Sequence, residues 1–168
     1  PVDGKVGIIL QGGMYNAVIR ALQRLGLADI HGETAVPLYV MNVTYPLIDS
    51  EILDFCADKD AVLMVEEGQP NYLEQAFGSI LYKAGAKVTL TGKGPLPPAG
   101  ELTGAIMLEG CRAFLAEHAA YMLLDQDRAP NVATAAPVGS KLAETVPMRP
   151  PGFCTGCPER PIFAATKL

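Results

Sequence analysis

The sequence lacks the features of a membrane protein or of a disulfide-rich extracellular one. No apolar run approaches the roughly 18 residues that a membrane-spanning helix needs. The opening residues, PVDGK, contain no basic segment followed by an apolar one, so no secretory signal is predicted at this end. The four cysteines do not form a disulfide framework, since two of them are scattered. We therefore expect a reduced, cytoplasmic setting and no membrane partner.

Basic side chains are also scarce. The 13 Lys and Arg residues are outnumbered by 18 Asp and Glu residues, which gives a net charge of −5. Because no Lys/Arg cluster offsets this balance, we expect no nucleic-acid partner.

Apolar residues make up 49% of the chain and charged ones 18%, which excludes a disordered chain. The length of 168 residues is enough for one domain with a core. The chain opens on a short polar lead, and Ala164–Leu168 looks like the start of a helix, so we interpret it as a segment of a longer protein.

Short apolar runs alternate with stretches of helical periodicity. Four runs are rich in β-branched residues and suit strands buried on both faces. Helical spacing of apolar residues follows each of them, and Gly85 is placed as a helix C-cap. This βαβαβαβ order predicts an α/β fold, a three-layer α/β/α sandwich with a mostly parallel sheet. The predicted strands are Val6–Leu10, Ala35–Val43, Ala61–Val65 and Lys87–Leu90, and the last predicted helix is Leu102–Leu124.

The turn after the first strand, Gln11-Gly12-Gly13, allows two interpretations. It lies where a nucleotide-binding βα unit holds a phosphate, so Gly12 and Gly13 are candidate cofactor-binding residues. It lacks the third glycine of the dinucleotide fingerprint and the Gly-Lys-Ser/Thr of a P-loop. The alternative is a tight turn whose glycines permit close packing of the helix on the strand.

Two acidic residues and two histidines are further candidates for chemistry. Glu66 and Glu67 end the third strand, and alternation predicts that their side chains point apart. One of them could meet a helix N-terminus, which favours a structural role over acid–base catalysis. His31 and His118 have no second cluster of ligands at metal spacing, and we expect both at the surface. The sequence predicts no catalytic residue.

Cys154 and Cys157 are the sharpest signal in the chain. Two thiolates at this spacing can bind a soft metal or an iron–sulfur cluster, although a closed site needs about four ligands. The remaining cysteines, Cys56 and Cys111, lie on apolar helix stripes, so the other ligands would come from elsewhere. A redox pair and two free thiols remain as alternatives. The pair follows a Pro-rich segment, 126–152, which we interpret as an extended linker.

Several motifs together resemble one family. The stretch Arg149–Arg160, RPPGFCTGCPER, is similar to a motif of the alpha (large) subunit of indolepyruvate:ferredoxin oxidoreductase. GIILQGGMYNAV, the Asn42–Leu47 turn and Val62–Gln75 also match that family, so the resemblance covers nearly the whole chain. Glu159 is the departure, since the family usually has His at this place.

The resemblance implies a place within a larger enzyme. Such enzymes decarboxylate a 2-oxoacid on thiamine diphosphate with magnesium, pass electrons through [4Fe-4S] clusters to ferredoxin, and release an acyl-CoA. Residues 1–125 would be their transketolase C-terminal-like middle domain, and residues 153–168 would begin a following thiamine-diphosphate-binding domain. The middle domain is not where thiamine is held, so we expect a structural, interface-forming role, an inactive isolated segment and no cofactor in it.

The resemblance also implies partners. The expected ones are neighbouring domains of the same chain, a beta subunit or its fused equivalent, ferredoxin, and a second copy in a homo-oligomer. The alternative function is a module that binds a nucleotide or the phosphates of CoA at the Gly12–Gly13 turn.

Overall fold

A computed structural model describes residues 5–68, 71–123, 145–146 and 160–166. The chain divides into two units, Pro1–Val132 and Ala133–Leu168. The first holds a four-stranded, all-parallel sheet in the order β2-β1-β3-β4. The strands are β1 (Val6–Gln11), β2 (Leu38–Met41), β3 (Ala61–Val65) and β4 (Thr89–Thr91). The helices are α1 (Tyr15–Arg24), α2 (Asp49–Cys56), α3 (Tyr72–Lys83), α4 (Gly104–His118) and, in the second unit, α5 (Arg160–Ala165).

Helices cover both faces of the sheet, which confirms the predicted α/β sandwich. Strand β3 is buried along its whole length, and its side chains alternate between two apolar clusters. Leu63 points into the cluster formed with α1 and α4, whereas Met64 points into the one formed with α2 and α3. The continuous apolar runs of β1 and β3 follow from this burial on two faces.

The second strand is shorter than the predicted Ala35–Val43. The Ala35 N–H donates to the Leu27 carbonyl at 2.8 Å, so this residue belongs to a loop that precedes the strand. Pairing with β1 begins where the Ile8 N–H donates to the Pro37 carbonyl, and the ladder ends at Met41. Apolar residues therefore continue before and after the paired residues of β2.

Two other boundaries also differ from the sequence prediction. Strand β4 begins two residues later than predicted, at Thr89, whose N–H donates to the Asp60 carbonyl at 2.9 Å. The long helix begins at Gly104, because Thr103 caps it by accepting from the Ile106 N–H. It ends at His118, since Ala119 leaves the helical conformation, and a 3-10 turn follows over Ala120–Leu123.

The first two helices begin without a side-chain cap bond. A 3-10 turn, Gly12–Met14, precedes α1, which begins at Tyr15. Asp49 and Ser50 are residues of the type that caps helices, but Ile48 occupies the cap position of α2 and makes no side-chain cap bond. Asp49 is the first residue of α2, where its negative charge interacts favourably with the positive end of the helix dipole.

The second unit is described only in part. A helix in the described part of this unit, α5, is already formed at Arg160 and ends at Ala165, so the predicted helix start at Ala164–Leu168 is wrong. Cys154, Cys157 and Glu159 lie outside the described residues, as does most of the predicted linker 126–152. The predicted domain boundaries remain predictions. None of the helices in the described ranges is long and apolar enough to span a membrane.

Candidate functional site

The strand order places a topological switch point between β1 and β3. The chain leaves β1 toward β2 on one side and then returns to β3 on the other side of β1. Parallel α/β folds bind ligands outside the carboxyl ends of strands that diverge in this way. The carboxyl ends of β1 and β3, together with the Gly12–Gly13 turn that follows β1, are therefore the candidate site.

Side chains of the protein itself bridge this crevice. The Glu67 N–H, just after β3, donates to Gln11 Oε1 at the end of β1 over 3.0 Å. Glu67 Oε1 in turn accepts from the Leu102 N–H at 2.8 Å, just before α4 begins. One glutamine and one glutamate thus tie the ends of both strands to the start of a helix.

Glu66 is a buried carboxylate with a structural function. Its side chain is 5% exposed, and its two oxygens accept from the Leu73 N–H at 2.9 Å and from the Glu74 N–H at 3.2 Å. These donors belong to the first turn of α3 and have no partner within the helix. The prediction that one of the two carboxylates meets a helix N-terminus is confirmed, and the two side chains do serve different helices.

Lys93 joins the loops on the β4 side of this edge. Its ammonium donates to the Glu66 carbonyl at 2.6 Å and to the Gly68 carbonyl at 2.9 Å. Its backbone N–H donates to Glu74 Oε2 at 3.1 Å. A Cβ on Gly92 would lie 2.7 Å from the same carboxylate oxygen, so the Glu74 side chain would have to shift to admit one. Lys93 therefore holds these loops together, because their backbone carbonyls accept hydrogen bonds from its ammonium group.

The candidate glycines differ from each other in their surroundings. A Cβ on Gly12 would lie 3.1 Å from the Met41 carbonyl oxygen, so this position serves the close approach of β1 and β2. A Cβ on Gly13 would meet nothing within 4 Å. Both glycines are exposed in the 3-10 turn that precedes α1. The packing interpretation thus accounts for Gly12, whereas space remains beside Gly13 and its cofactor assignment stays a prediction.

Cys56 and Cys111 are buried in α2 and α4, as their apolar stripes predicted. Burial raises the pKa of the Cys111 thiol to about 12 and also raises the pKa of Cys56. Because the thiolate is the metal ligand and the nucleophile, neither cysteine suits those tasks at neutral pH. Within the described part of the chain, no three His, Cys, Asp or Glu side chains are grouped so that they could hold a metal ion.

The histidine prediction is half correct. His31 is exposed, as expected. The ring of His118 packs 5.0 Å from that of Phe114, and its Nε2 is buried without a hydrogen-bond partner among the described residues. Its apolar neighbour one helical turn earlier could have indicated this contact.

Sequence reasoning missed Gln11 and Lys93 as members of the site. Both lie at or just after the carboxyl end of a parallel strand, which is where polar side chains meet in such a fold. That position is the signal in the sequence that could have identified them.

Fold and site together define a parallel α/β domain with a topological switch point that is bridged by its own polar side chains. No protein-family model matches the chain, and no solved structure matches it. Curated proteins do match. The chain is 29% identical over 165 residues to the indolepyruvate oxidoreductase subunit IorA of Thermococcus kodakarensis, and 27% identical over 167 residues to that of Methanothermobacter thermautotrophicus.

The corresponding subunit of Pyrococcus abyssi is 29% identical to the chain over 167 residues. These matches confirm the predicted resemblance to the indolepyruvate oxidoreductase alpha subunit, and they cover 98–99% of the chain. The chain spans 23% of the length of these curated relatives. It is therefore similar to one segment of a much longer subunit.

Proposed function

We propose that the chain is a structural, interface-forming part of a 2-oxoacid:ferredoxin oxidoreductase. The match to IorA subunits along nearly the whole chain carries this proposal. The parent reaction would oxidise indolepyruvate or a related arylpyruvate to an acyl-CoA, and its partners would be neighbouring domains, a beta subunit and ferredoxin. Thiamine diphosphate, magnesium and [4Fe-4S] clusters would supply the decarboxylation and the electron transfer.

The carboxylates that the structure describes at the switch point make structural hydrogen bonds, which supports a thiamine site elsewhere in the parent enzyme. The carboxylates at the switch point, Glu66 and Glu67, already accept hydrogen bonds from backbone N–H groups. The sequence contains no Gly-Asp-Gly with a downstream Asn, which is the usual magnesium–diphosphate signature. A domain whose ligand crevice is bridged by its own side chains is suited to holding other domains in position.

An activity assay tests the structural role. The 168-residue chain is incubated with indolepyruvate, thiamine diphosphate, Mg²⁺, CoA and a viologen electron acceptor. We expect no acceptor reduction above the rate of a blank without protein. Turnover that scales with the concentration of the chain would contradict the proposal.

A metal analysis tests the predicted cysteine pair. Cys154 and Cys157 are replaced by Ser in a longer protein that carries this chain, with Cys56→Ala as the control. If the pair holds a cluster in the parent, iron and acid-labile sulfide fall in both Ser variants and not in the control. Unchanged cluster content in both Ser variants removes these residues as ligands.

The open space beside Gly13 favours a second candidate, a site for a nucleotide or for the phosphates of CoA. Thermal unfolding is followed with CoA, ADP and NAD at millimolar concentration, in the wild type and in Gly13→Asp. A ligand that binds the folded state raises the transition temperature in a saturable way. A rise that the Gly13→Asp variant abolishes would establish this alternative, and no rise would leave the structural role as the function of the turn.

A further inference from the structure

Three lysines gather at the amino edge of the sheet, opposite the switch point. Lys5 directly precedes β1, Lys59 lies shortly before β3, and Lys87 lies shortly before β4. These three strands are neighbours in a parallel sheet, so their amino ends meet along one edge. Backbone bonds fix the spacing of the three segments. The Asp60 N–H donates to the Lys5 carbonyl at 2.7 Å, and the Thr89 N–H donates to the Asp60 carbonyl at 2.9 Å.

A cavity of about 330 Å³ opens at this edge and is lined by all three lysines. Part of its wall is apolar and includes Leu53 from α2 and Val88 from the loop before β4. Its volume is at the lower end of the range for small-molecule sites, which begins at about 300 Å³. The cavity therefore has room for a small organic molecule that carries a charged group.

The Lys59 side chain is held in place at this cavity. Only 6% of it is exposed, and its ammonium lies 2.7 Å from Asp58 Oδ1 and 4.5 Å from the centroid of the Phe55 ring. Gly7 in β1 makes room for the lysine stem, since a Cβ there would lie 2.8 Å from Lys59 Cδ and Cε. A ligand that binds here has one lysine fewer to order, which lowers the entropy cost of binding.

Positive charge is in surplus in the lining of the cavity. Its three ammonium groups stand against two carboxylates, those of Asp58 and Asp60, in a chain whose net charge is −5. Neither Lys5 nor Lys87 forms an ion pair with another described residue. The Asp58 carboxylate is 71% exposed, and its pKa is lowered by the hydrogen bond from Lys59 and also by the charge of Lys5. The charges of both lysines therefore act on an anion at this position.

We propose that this cavity binds the phosphate group of a small phosphate ester through the ammonium groups of Lys5, Lys59 and Lys87. A dianionic phosphate matches the surplus of positive charge and accepts hydrogen bonds from several ammonium groups at once. The apolar wall formed by Leu53 and Val88 accommodates the organic part of the ester. This site is independent of the proposed function, because it lies at the other edge of the sheet from the switch point.

Phosphorus NMR titrations of the 168-residue chain test the site, with inorganic phosphate and phenyl phosphate as probes. At about pH 8 both probes are dianionic. We expect saturable shifts of both signals, with tighter binding of phenyl phosphate because its ring covers the apolar wall. Lys5→Gln and Lys87→Gln should each weaken the binding of phenyl phosphate about three- to fivefold. Lys83→Gln is the matched control, since it removes the same charge from an exposed residue outside the lining and should leave the affinity unchanged.

A variant with the opposite expected effect keeps the test independent of the lysine variants. Asp58→Asn removes a carboxylate that repels the anion, and we expect binding to become about threefold tighter. Asp49→Asn makes the same change at the other end of α2 and should have no effect on affinity. Gly13→Asp should also leave the affinity unchanged, which separates this site from a phosphate site at the turn after β1.

Two kinds of result overturn the proposal. One is the absence of saturable binding for both probes up to about 20 mM, which corresponds to an affinity too weak for a specific site. The other is binding that is unchanged in both Lys5→Gln and Lys87→Gln, or that Gly13→Asp abolishes. Circular dichroism of each variant confirms that it is folded, as the exposure of the substituted side chains leads us to expect.

Discussion

Glu66 shows how a buried carboxylate can be structural in a position that is typical of active sites. Two backbone N–H groups of α3 replace the water that a carboxylate loses on burial. The helix dipole adds a favourable charge interaction at the same end. Asn71, the cap residue by position, makes no side-chain cap bond to these groups. The helix thus depends for its cap on a residue that directly follows the preceding strand.

Replacing Glu66 tests that dependence. Glu66→Ala leaves two N–H donors without an acceptor, and we expect the free energy of unfolding to fall by about 2–3 kcal/mol. Glu66→Gln keeps one acceptor oxygen and should lose about half as much. Urea denaturation measures both, with Glu109→Ala as the control. Glu109 forms an exposed pair with Arg112, so its loss should cost less than about 1 kcal/mol. If Glu66→Ala and Glu109→Ala lower the free energy of unfolding equally, the cap bonds of Glu66 contribute nothing to stability.

The ionisation of Cys111 makes the free energy of unfolding depend on pH in the alkaline range. Burial raises the pKa of its thiol to about 12 in the folded chain, against roughly 8.5 for an unfolded cysteine. Between these values the unfolded state has lost the proton that the folded state retains. Stability is therefore complete below about pH 8.5 and falls as the pH rises toward 12.

The measurement compares the wild type with Cys111→Ala. From pH 8 to pH 10 we expect the wild type to lose about 1–2 kcal/mol more free energy of unfolding than the variant loses. The raised pKa values of Cys56 and Tyr39 act on both proteins and cancel in this difference. Parallel pH profiles for the two proteins would contradict the assignment to Cys111.

At the scale of elements, two glycines within helices differ in how closely other residues pack against them. Gly110 in α4 faces the loop after β4, where a Cβ would lie 3.2 Å from Leu96 Cγ and 3.3 Å from the Pro95 carbonyl oxygen. Gly78 in α3 has nothing within 4 Å of that position. The first glycine allows the loop to pack on the helix, whereas the second only weakens its helix.

Alanine substitution should therefore have opposite signs at these two sites. Gly110→Ala overpacks a filled contact, and we expect a loss of about 1–3 kcal/mol in the free energy of unfolding. Gly78→Ala lowers the entropy of the unfolded chain and should stabilise the protein by about 0.5–1 kcal/mol. Chemical denaturation of both variants is the test. If Gly110→Ala stabilises the protein as Gly78→Ala does, the close packing at Leu96 is not real.

The sequence was most informative about elements that are buried on two faces. The apolar runs of β1 and β3 predicted both strands to within one residue. It was least informative about boundaries that tertiary hydrogen bonds decide, such as the start of β4 at Thr89 and the end of α4 at His118. The bond between Gln11 and the Glu67 N–H joins residues 56 positions apart, and no local pattern encodes such a contact.

At the scale of the whole molecule, β3 joins the two apolar clusters. Its odd-numbered residues lie in the cluster with α1 and α4, and its even-numbered residues lie in the cluster with α2 and α3. A strand shared in this way couples the two faces of the sheet. The polar bonds at the carboxyl edge add to the coupling, because Glu67 connects β1, β3 and the start of α4.

This coupling predicts one cooperative unfolding transition for residues 5–123 of the first unit. Leu63→Ala and Met64→Ala each remove a buried side chain from a different cluster, and each should lower the free energy of unfolding by about 2–5 kcal/mol. Both should shift a single transition, because neither helical layer remains folded once the shared strand is lost. Far-ultraviolet circular dichroism and tyrosine fluorescence report the transition independently. If one variant splits it into two steps, or if the two probes give different midpoints, the two faces of the sheet are separate folding units.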